Sequence, residues 1–378
     1  MKMRLHRVGL RTAVGALVAG LGGAAIIAMA TVQPTAQQQG TAQGFIQGTV
    51  TSGSGPEAGV WVIAETNDLQ TKLIKIVVTD DRGRYVLPEL PNASYSLWVR
   101  GYGLSDSKPV QGKPGQTVDL KATKAASPAE AAKVYPANYW YSMLEVPGKD
   151  QFPGKGADAN GVPPLFRTQA QFIDQLKQGC QLCHQLGNEV TRTLTHMKSL
   201  SFKTSLEAWD YRVKTGQRGG EMDGMMNRLG PAAKKMYADW TDRIAAGELP
   251  AHTPPRPKGV ERNVVVTMWD WGSDTSYMHD EVATAKAKPT VNANGPVYAV
   301  DAAHGKYIAV NMRENSAYEI PIPTRDDPSK MRSRFPQTQV KPSNFWGNQI
   351  VHSGVSDPHN PMFDSKGRLW STSTVSQG

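Results

Sequence analysis

The stretch QAQFIDQLKQGCQLCHQLG, residues 169–187, carries an amphipathic pattern into the only two cysteines of the chain, Cys180 and Cys183, with His184 directly behind them. Phe172 and Leu176 recur at helical spacing, which predicts a helix leading into the motif. Three chemistries use a C-x-x-C pair: a redox disulfide, half of a zinc site, or covalent attachment of haem. A thioredoxin-type disulfide belongs in a βαβ unit, and no apolar strand leads in here. A structural disulfide would close a loop of two residues and constrain almost nothing in the unfolded chain. Structural zinc takes four ligands; His184 is too close to the cysteines to complete such a set easily, so no zinc is expected. The third chemistry uses every residue of the motif. Thiols one helical turn apart form thioethers with the two vinyl groups of haem, and the imidazole of His184 then lies against the porphyrin face and binds iron. The expected cofactor is one covalent haem c on Cys180, Cys183 and His184.

The N-terminus agrees with that chemistry. Residues 1–30 open with Lys2, Arg4, Arg7 and Arg11, continue as an uncharged apolar run, and close on Ala28-Met29-Ala30. This is the layout of a cleaved secretory signal peptide, with a retained N-terminal anchor as the alternative. An exported, periplasmic protein is expected, not membrane-spanning after cleavage. Removing the leader's four cations from the formal net charge of +9 leaves a mildly basic chain of about +5. Its Lys and Arg residues are scattered among acids, so nothing points to nucleic acid.

Residues 31–43 are a polar linker. From 44 to 122, short β-branched and aromatic runs alternate with turns such as SGSGPEAG, DDRG and LPNAS, which predicts a β-sandwich. Tyr85, Leu97 and Val99 are expected to face one core, and Gly83 supplies a positive-φ turn position. The segment from Thr79 to Gly103 resembles the carboxypeptidase regulatory-like module: Thr79, Asp80, Gly83, Tyr85, Tyr95, Leu97 and Val99 match its hairpin pattern. The resemblance implies a spacer or a carbohydrate-binding-like module, so polysaccharide is a further partner to test. Trp98 and Tyr102 are the nearest candidates for a stacking platform.

Residues 123–164 are read as a linker, 165–247 as helical, and 248–259 as a Pro-rich linker. Helices are predicted over SLEAWDYRVK and PAAKKMYADWTDRIAAGE, with Pro231 in the first turn of the latter. A helix ending in C-x-x-C-H, about fifty intervening residues and a final aromatic-bearing helix resemble a class I cytochrome c domain. That resemblance implies an all-α domain whose first and last helices cross, placing Phe172 or Leu176 on Tyr237 and Trp240. It implies electron transfer with a periplasmic redox protein as donor or acceptor. It also implies a methionine as sixth iron ligand, in a loop before the last helix. GGEMDGMMNRLGP offers Met222 first, with Leu229 seven residues on but Asp223 where Pro is common; Met226 and Met225 are the alternates. His196 is a rival ligand. Gly219-Gly220 would allow close approach to the haem edge, and Arg218 would pair with a propionate.

From 260 to 378 the pattern returns to β. N-P-M-F-D-x-x-G-R-L-W-x-T, beginning at Asn360, resembles a strand pair of the lyase and gluconolactonase-like propellers. About 120 residues supply only two to three blades, so an incomplete β-propeller and a chain that continues past Gly378 are expected. Asp274, His279, Asp280 and Glu281 are candidate members of a metal or acid–base site at a propeller mouth, a solvated loop being the plainer alternative; His359 is read separately, at a strand entry where virginiamycin-lyase-like propellers present histidines toward their central channel. The fold expected overall is multidomain: a β-sandwich, an all-α cytochrome c domain, then a partial β-propeller. Two other functions compete with electron transfer: an oxidoreductase or lyase acting in the propeller with the haem attached, and a carbohydrate- or surface-binding module.

Overall fold

The computed structural model describes residues 44–331 and 342–375, apart from 344, 346, 350 and 353–355; the expected leader, the linker 31–43 and the chain end at 376–378 lie outside them. Helices and strands are both present, and the sheets are open.

The first β region contains β1 (Gly44–Ser52), β2 (Gly55–Pro56), β3 (Trp61–Thr66), β4 (Lys72–Val78), β5 (Arg84–Leu90), β6 (Tyr95–Arg100), β7 (Leu104–Ser105), β8 (Val110–Gly112), β9 (Leu120–Lys121) and β10 (Thr123–Lys124). β1 pairs antiparallel with β2 and β5 and parallel with β9, while β4, β3, β6 and β8 form a second, antiparallel sheet. The period-two pattern is plain in β6, where Tyr95, Leu97 and Val99 are buried and the residues between them are not. They join Ile46, Val62, Leu73, Tyr85 and Leu87 in one core, as the alternation predicts. Burying each such aliphatic side chain contributes about 1.5–3 kcal/mol. Gly83 turns the β4–β5 hairpin at φ 73°, and a Cβ there would lie 2.5 Å from the Val50 carbonyl.

The segment read as a linker is structured. α1 (Pro128–Ala132) is capped by the Ser127 hydroxyl, and α2 (Ala137–Tyr141) delivers Trp140 to a second core. The helical region continues with α3 (Gln169–Gly179), α4 (Glu189–Arg192), α5 (Ser205–Arg212), α6 (Gly219–Leu229) and α7 (Pro231–Ala245). Thr168, Asn188 and Thr204 cap α3, α4 and α5 through their side-chain oxygens. Phe172, Leu176, Tyr237 and Trp240 do share one core, together with Trp140, Phe166, Trp209 and Met226. The expected crossing of first and last helices is nevertheless not the main packing: α3 rests on α6, and α7 on α5. Trp209 stacks on Tyr237 at 4.8 Å and donates to the Thr241 hydroxyl, fastening α5 to α7.

The first strand beyond residue 260 reaches back to the sandwich. β11 (Val266–Asp270) pairs with β4, Val266 opposite Ile76 and Asp270 opposite Lys72, and so extends the sandwich sheet. The preceding Pro-rich segment is tied to the same region, because Arg256 donates to Glu57 and to the Tyr102 carbonyl. Then come β12 (Met278–Val282), β13 (Val297–Asp301), β14 (Lys306–Asn311) and β15 (Ser316–Pro321), one four-stranded antiparallel meander, and the hairpin of β16 (Pro358–Phe363) with β17 (Leu369–Ser373). Tyr298, Val300, Tyr307, Phe363 and Leu369 form its core. Among the described residues, no helix is long and apolar enough to cross a membrane.

Candidate functional site

The cysteine motif grows out of the C-terminal end of α3. The Cys180 N–H donates to the Leu176 carbonyl, and the Cys180 carbonyl accepts from His184 N–H at 3.0 Å. The helical turn therefore continues through the motif, and positions i, i+3 and i+4 bring Cys180, Cys183 and His184 to one side. Both thiols are free rather than joined in a disulfide; Cys180 is half-buried and Cys183 exposed. Leu182 between them is 80% exposed, an apolar side chain presented outward beside the motif.

Tyrosines flank both thiols. Burial raises the pKa of Cys180, partly offset by the nearby Tyr237 hydroxyl. That hydroxyl is itself buried in the core and faces the Cys180 thiol. Cys183 interacts with Tyr277, whose phenol is raised chiefly by burial. His184 is solvent-exposed. Partial desolvation, and then repulsion from Arg212, lower its pKa.

Arg212 went unnoticed in the sequence. Its guanidinium donates to the carbonyls of Val190, Thr191 and Thr193 and stacks over Trp209 at 4.8 Å, with no carboxylate partner among the described residues. Desolvation pulls it down to about 10. The same cation depresses His196 after desolvation does, so it lies within electrostatic reach of both imidazoles. Nothing in SLEAWDYRVK marks this arginine out, because its distinction comes from tertiary burial.

The methionines are not in a loop. Met222, Met225 and Met226 lie on α6, spaced so that they share one face of the helix. Met226 is buried, Met222 packs half-buried against the same core, and Met225 accepts from the Gln175 amide at 3.6 Å. The Met225 thioether also lies against Gly179, immediately before Cys180. Gly219 begins α6 where a Cβ would meet the Lys214 backbone at 2.7 Å, so its small size serves helix packing. Arg218 faces the C-terminal β region, its guanidinium 5.9 Å from the Tyr277 ring centroid.

The second candidate set is partly assembled. His279 and Asp280 on β12 meet His359 on β16, with ligand atoms within 4.8 Å of one another; Asp274 and Glu281 stay exposed outside this group. In the sandwich, Trp98 donates to Glu65 and lies under Arg100, and Tyr102 packs on Trp61 and Tyr135, so both platform candidates are engaged internally.

A haem suits the donor set of the motif: two thiols one turn apart that are not joined in a disulfide, and the adjoining imidazole. No family model matches the chain, and none of the curated proteins does. Twelve solved chains match. One is the TIE protein of Bacillus anthracis, 21% identical over 22% of this chain and 17% of that one, with a TM-score of 0.18. The chain thus spans about a sixth of that structure, and the likeness carries no argument.

Proposed function

We propose that this chain is an exported c-type cytochrome that binds one covalent haem through Cys180 and Cys183, with His184 as iron ligand, and exchanges electrons with a periplasmic redox protein. One observation carries the reading: both thiols are unpaired and lie with His184 on a single helical turn. When bound, haem supplies one-electron oxidation and reduction. The protein's own part is to hold the group. α3 aims the two sulfurs, the aromatic core of Trp209, Tyr237 and Trp240 supports that helix end, and half-buried Arg212, with no carboxylate partner among the described residues, places a positive charge beside the site, suited to an anionic group. Met222, Met225 and Met226 are the sixth-ligand candidates. Substituting each by Ala in turn identifies the ligand as the variant that loses the far-red charge-transfer band of methionine-ligated ferric haem. The test of the whole reading is the mature protein made in a host with active haem-attachment machinery. The expected result is a reduced c-type α-band and in-gel peroxidase staining, both lost in C183S. A colourless, unstained wild type overturns it.

A second reading has one observation in its favour. Tyr277 joins the interaction with Cys183 to an edge contact with His279 at 5.4 Å and with His352 at 5.5 Å, so the C-terminal β region abuts the motif. In this reading the C-terminal region, proposed as the start of a propeller, performs an oxidoreductase or lyase reaction beside the haem. Assays of reduced substrate classes with haem reduction as readout separate the two, since a pure carrier reduces only with a redox-protein partner. The carbohydrate-binding alternative has less support, because the Trp98 and Tyr102 rings are already engaged.

A further inference from the structure

We propose that His279, Asp280 and His359 form a binding site for a first-row divalent transition metal, separate from the cysteine motif. Successive strand residues normally point to opposite faces of a sheet. At β12 the register against β13 shifts between Met278 and Asp280, so His279 is the extra residue of a bulge, and both it and Asp280 address one site. β16 packs on β12 and is irregular just after His359, where Asn360 takes a positive φ of 51°. Two adjacent strands are thus bent at the same point, and both bends bring chemistry together.

The geometry is that of three donors converging on one place. Asp280 Oδ2 lies 3.3 Å from His279 Nδ1 and 3.3 Å from His359 Nδ1, and accepts from the Asn360 N–H at 2.9 Å. The two imidazoles stack at 4.6 Å, each turning Nδ1 to the same carboxylate. Asp280 stays below the usual carboxylate range although burial acts against it, because the Asn360 N–H and the neighbouring histidines favour its charged form. The far nitrogen of His359 is oriented in turn. Its Nε2 is 3.5 Å from Asp357 Oδ1, while Asp357, only 2% exposed, accepts from the Thr374 hydroxyl through its other oxygen. A ligand histidine whose second nitrogen faces a fixed carboxylate is the usual outer support of a metal site. Ser356 and Asp357 both hold left-handed backbone, at φ 57° and 37°, a conformation that costs of order 1–3 kcal/mol per residue unless the surroundings enforce it. Two imidazoles and one carboxylate suit Zn2+, Co2+ and their first-row neighbours rather than Ca2+ or Mg2+, and three protein ligands leave positions open to water or a substrate.

The test is equilibrium dialysis of the untagged full-length protein against micromolar Zn2+ or Co2+, with bound metal counted by mass spectrometry apart from iron. About one equivalent is expected, retained in C180S/C183S and weakened at least about 10-fold in H279A and in H359A. Variants are compared only where circular dichroism matches wild type. A second measurement needs no variant: Zn2+ should protect His279 and His359 from diethyl pyrocarbonate in the wild-type chain. Absence of metal above background, metal retained by H279A/H359A, metal lost in C180S/C183S, or no protection of the two histidines overturns the proposal.

Discussion

The sandwich and the helical region treat their buried polar groups differently. In the sandwich every prominent one is answered. The Tyr85 hydroxyl donates to the Val118 carbonyl, Tyr95 to the Pro91 carbonyl, and buried Lys75 to the carbonyls of Pro88 and Glu89. Among the described residues, Trp140 Nε1, Asp223 Oδ1 and Arg243 Nε are buried without a partner, and the Tyr237 hydroxyl faces only the Cys180 thiol; all four belong to the helical region. A buried polar atom without a partner costs about 1–3 kcal/mol, so such atoms are scarce in native structures and need an explanation. The sandwich is complete in itself. The helical region carries unmet polar groups, and one of its buried polar side chains, Tyr237, lies at the end of α3 where the cysteine motif begins.

Core truncation tests the comparison with the largest effect. Trp240 is fully buried, so Trp240→Ala is expected to cost about 3–5 kcal/mol. Hydrogen exchange should then show lost protection in α5 and α7 while β3, β4 and β6 keep theirs. Collapse of both regions together would show that they are one cooperative unit. Next come paired tyrosine substitutions. Tyr85→Phe removes a made hydrogen bond and should destabilise by about 1 kcal/mol, leaving the Val118 carbonyl unanswered. Tyr237→Phe removes a hydroxyl that faces only the Cys180 thiol, a weak acceptor, and should cost less than Tyr85→Phe in the haem-free chain. Equal losses in urea melts would erase the contrast between the regions. Thr204→Ala deletes the N-cap of α5 and is expected to cost about 1 kcal/mol, read in the same melts.

The smallest effect is a pH dependence. Asp210 is held below the ordinary carboxylate range chiefly by hydrogen bonds from Lys214 and Lys234, the latter joining α5 to α7. A lowered folded-state pKa stabilises above the unfolded value, and that contribution is lost as pH falls through the folded one. Acidification from pH 5 downward should therefore lower the helical melting temperature, and Asp210→Asn should flatten the slope modestly, since the pair is partly solvated. An unchanged slope in the variant would remove Asp210 from the account.

Local patterns made much of this legible. The alternation in Tyr95–Val99, the Gly83 turn and Pro231 at the start of α7 each act through neighbours within a few residues. What escaped the sequence depends on distant partners. β11 alternates weakly, with Val266 and Met268 exposed, and becomes a sandwich strand only through pairing with β4. The cytochrome c resemblance implies a loop for the methionine segment, yet Met226 and Leu229 pack into the helical core and the segment forms α6. Trp140 lies in a stretch whose composition reads as linker, although its indole fills the same core. The cysteine motif was visible because its chemistry is contiguous. His279 and His359 are brought together by bulged strands eighty residues apart, and Arg212 is distinguished by burial alone.

The most direct measurement is the intact mass of the mature full-length protein from a haem-competent host, taken before and after thiol alkylation. One haem's added mass with both cysteines inert to the reagent is the expected result. An unmodified mass with Cys180 and Cys183 both alkylated would contradict the claim that these sulfurs hold a porphyrin.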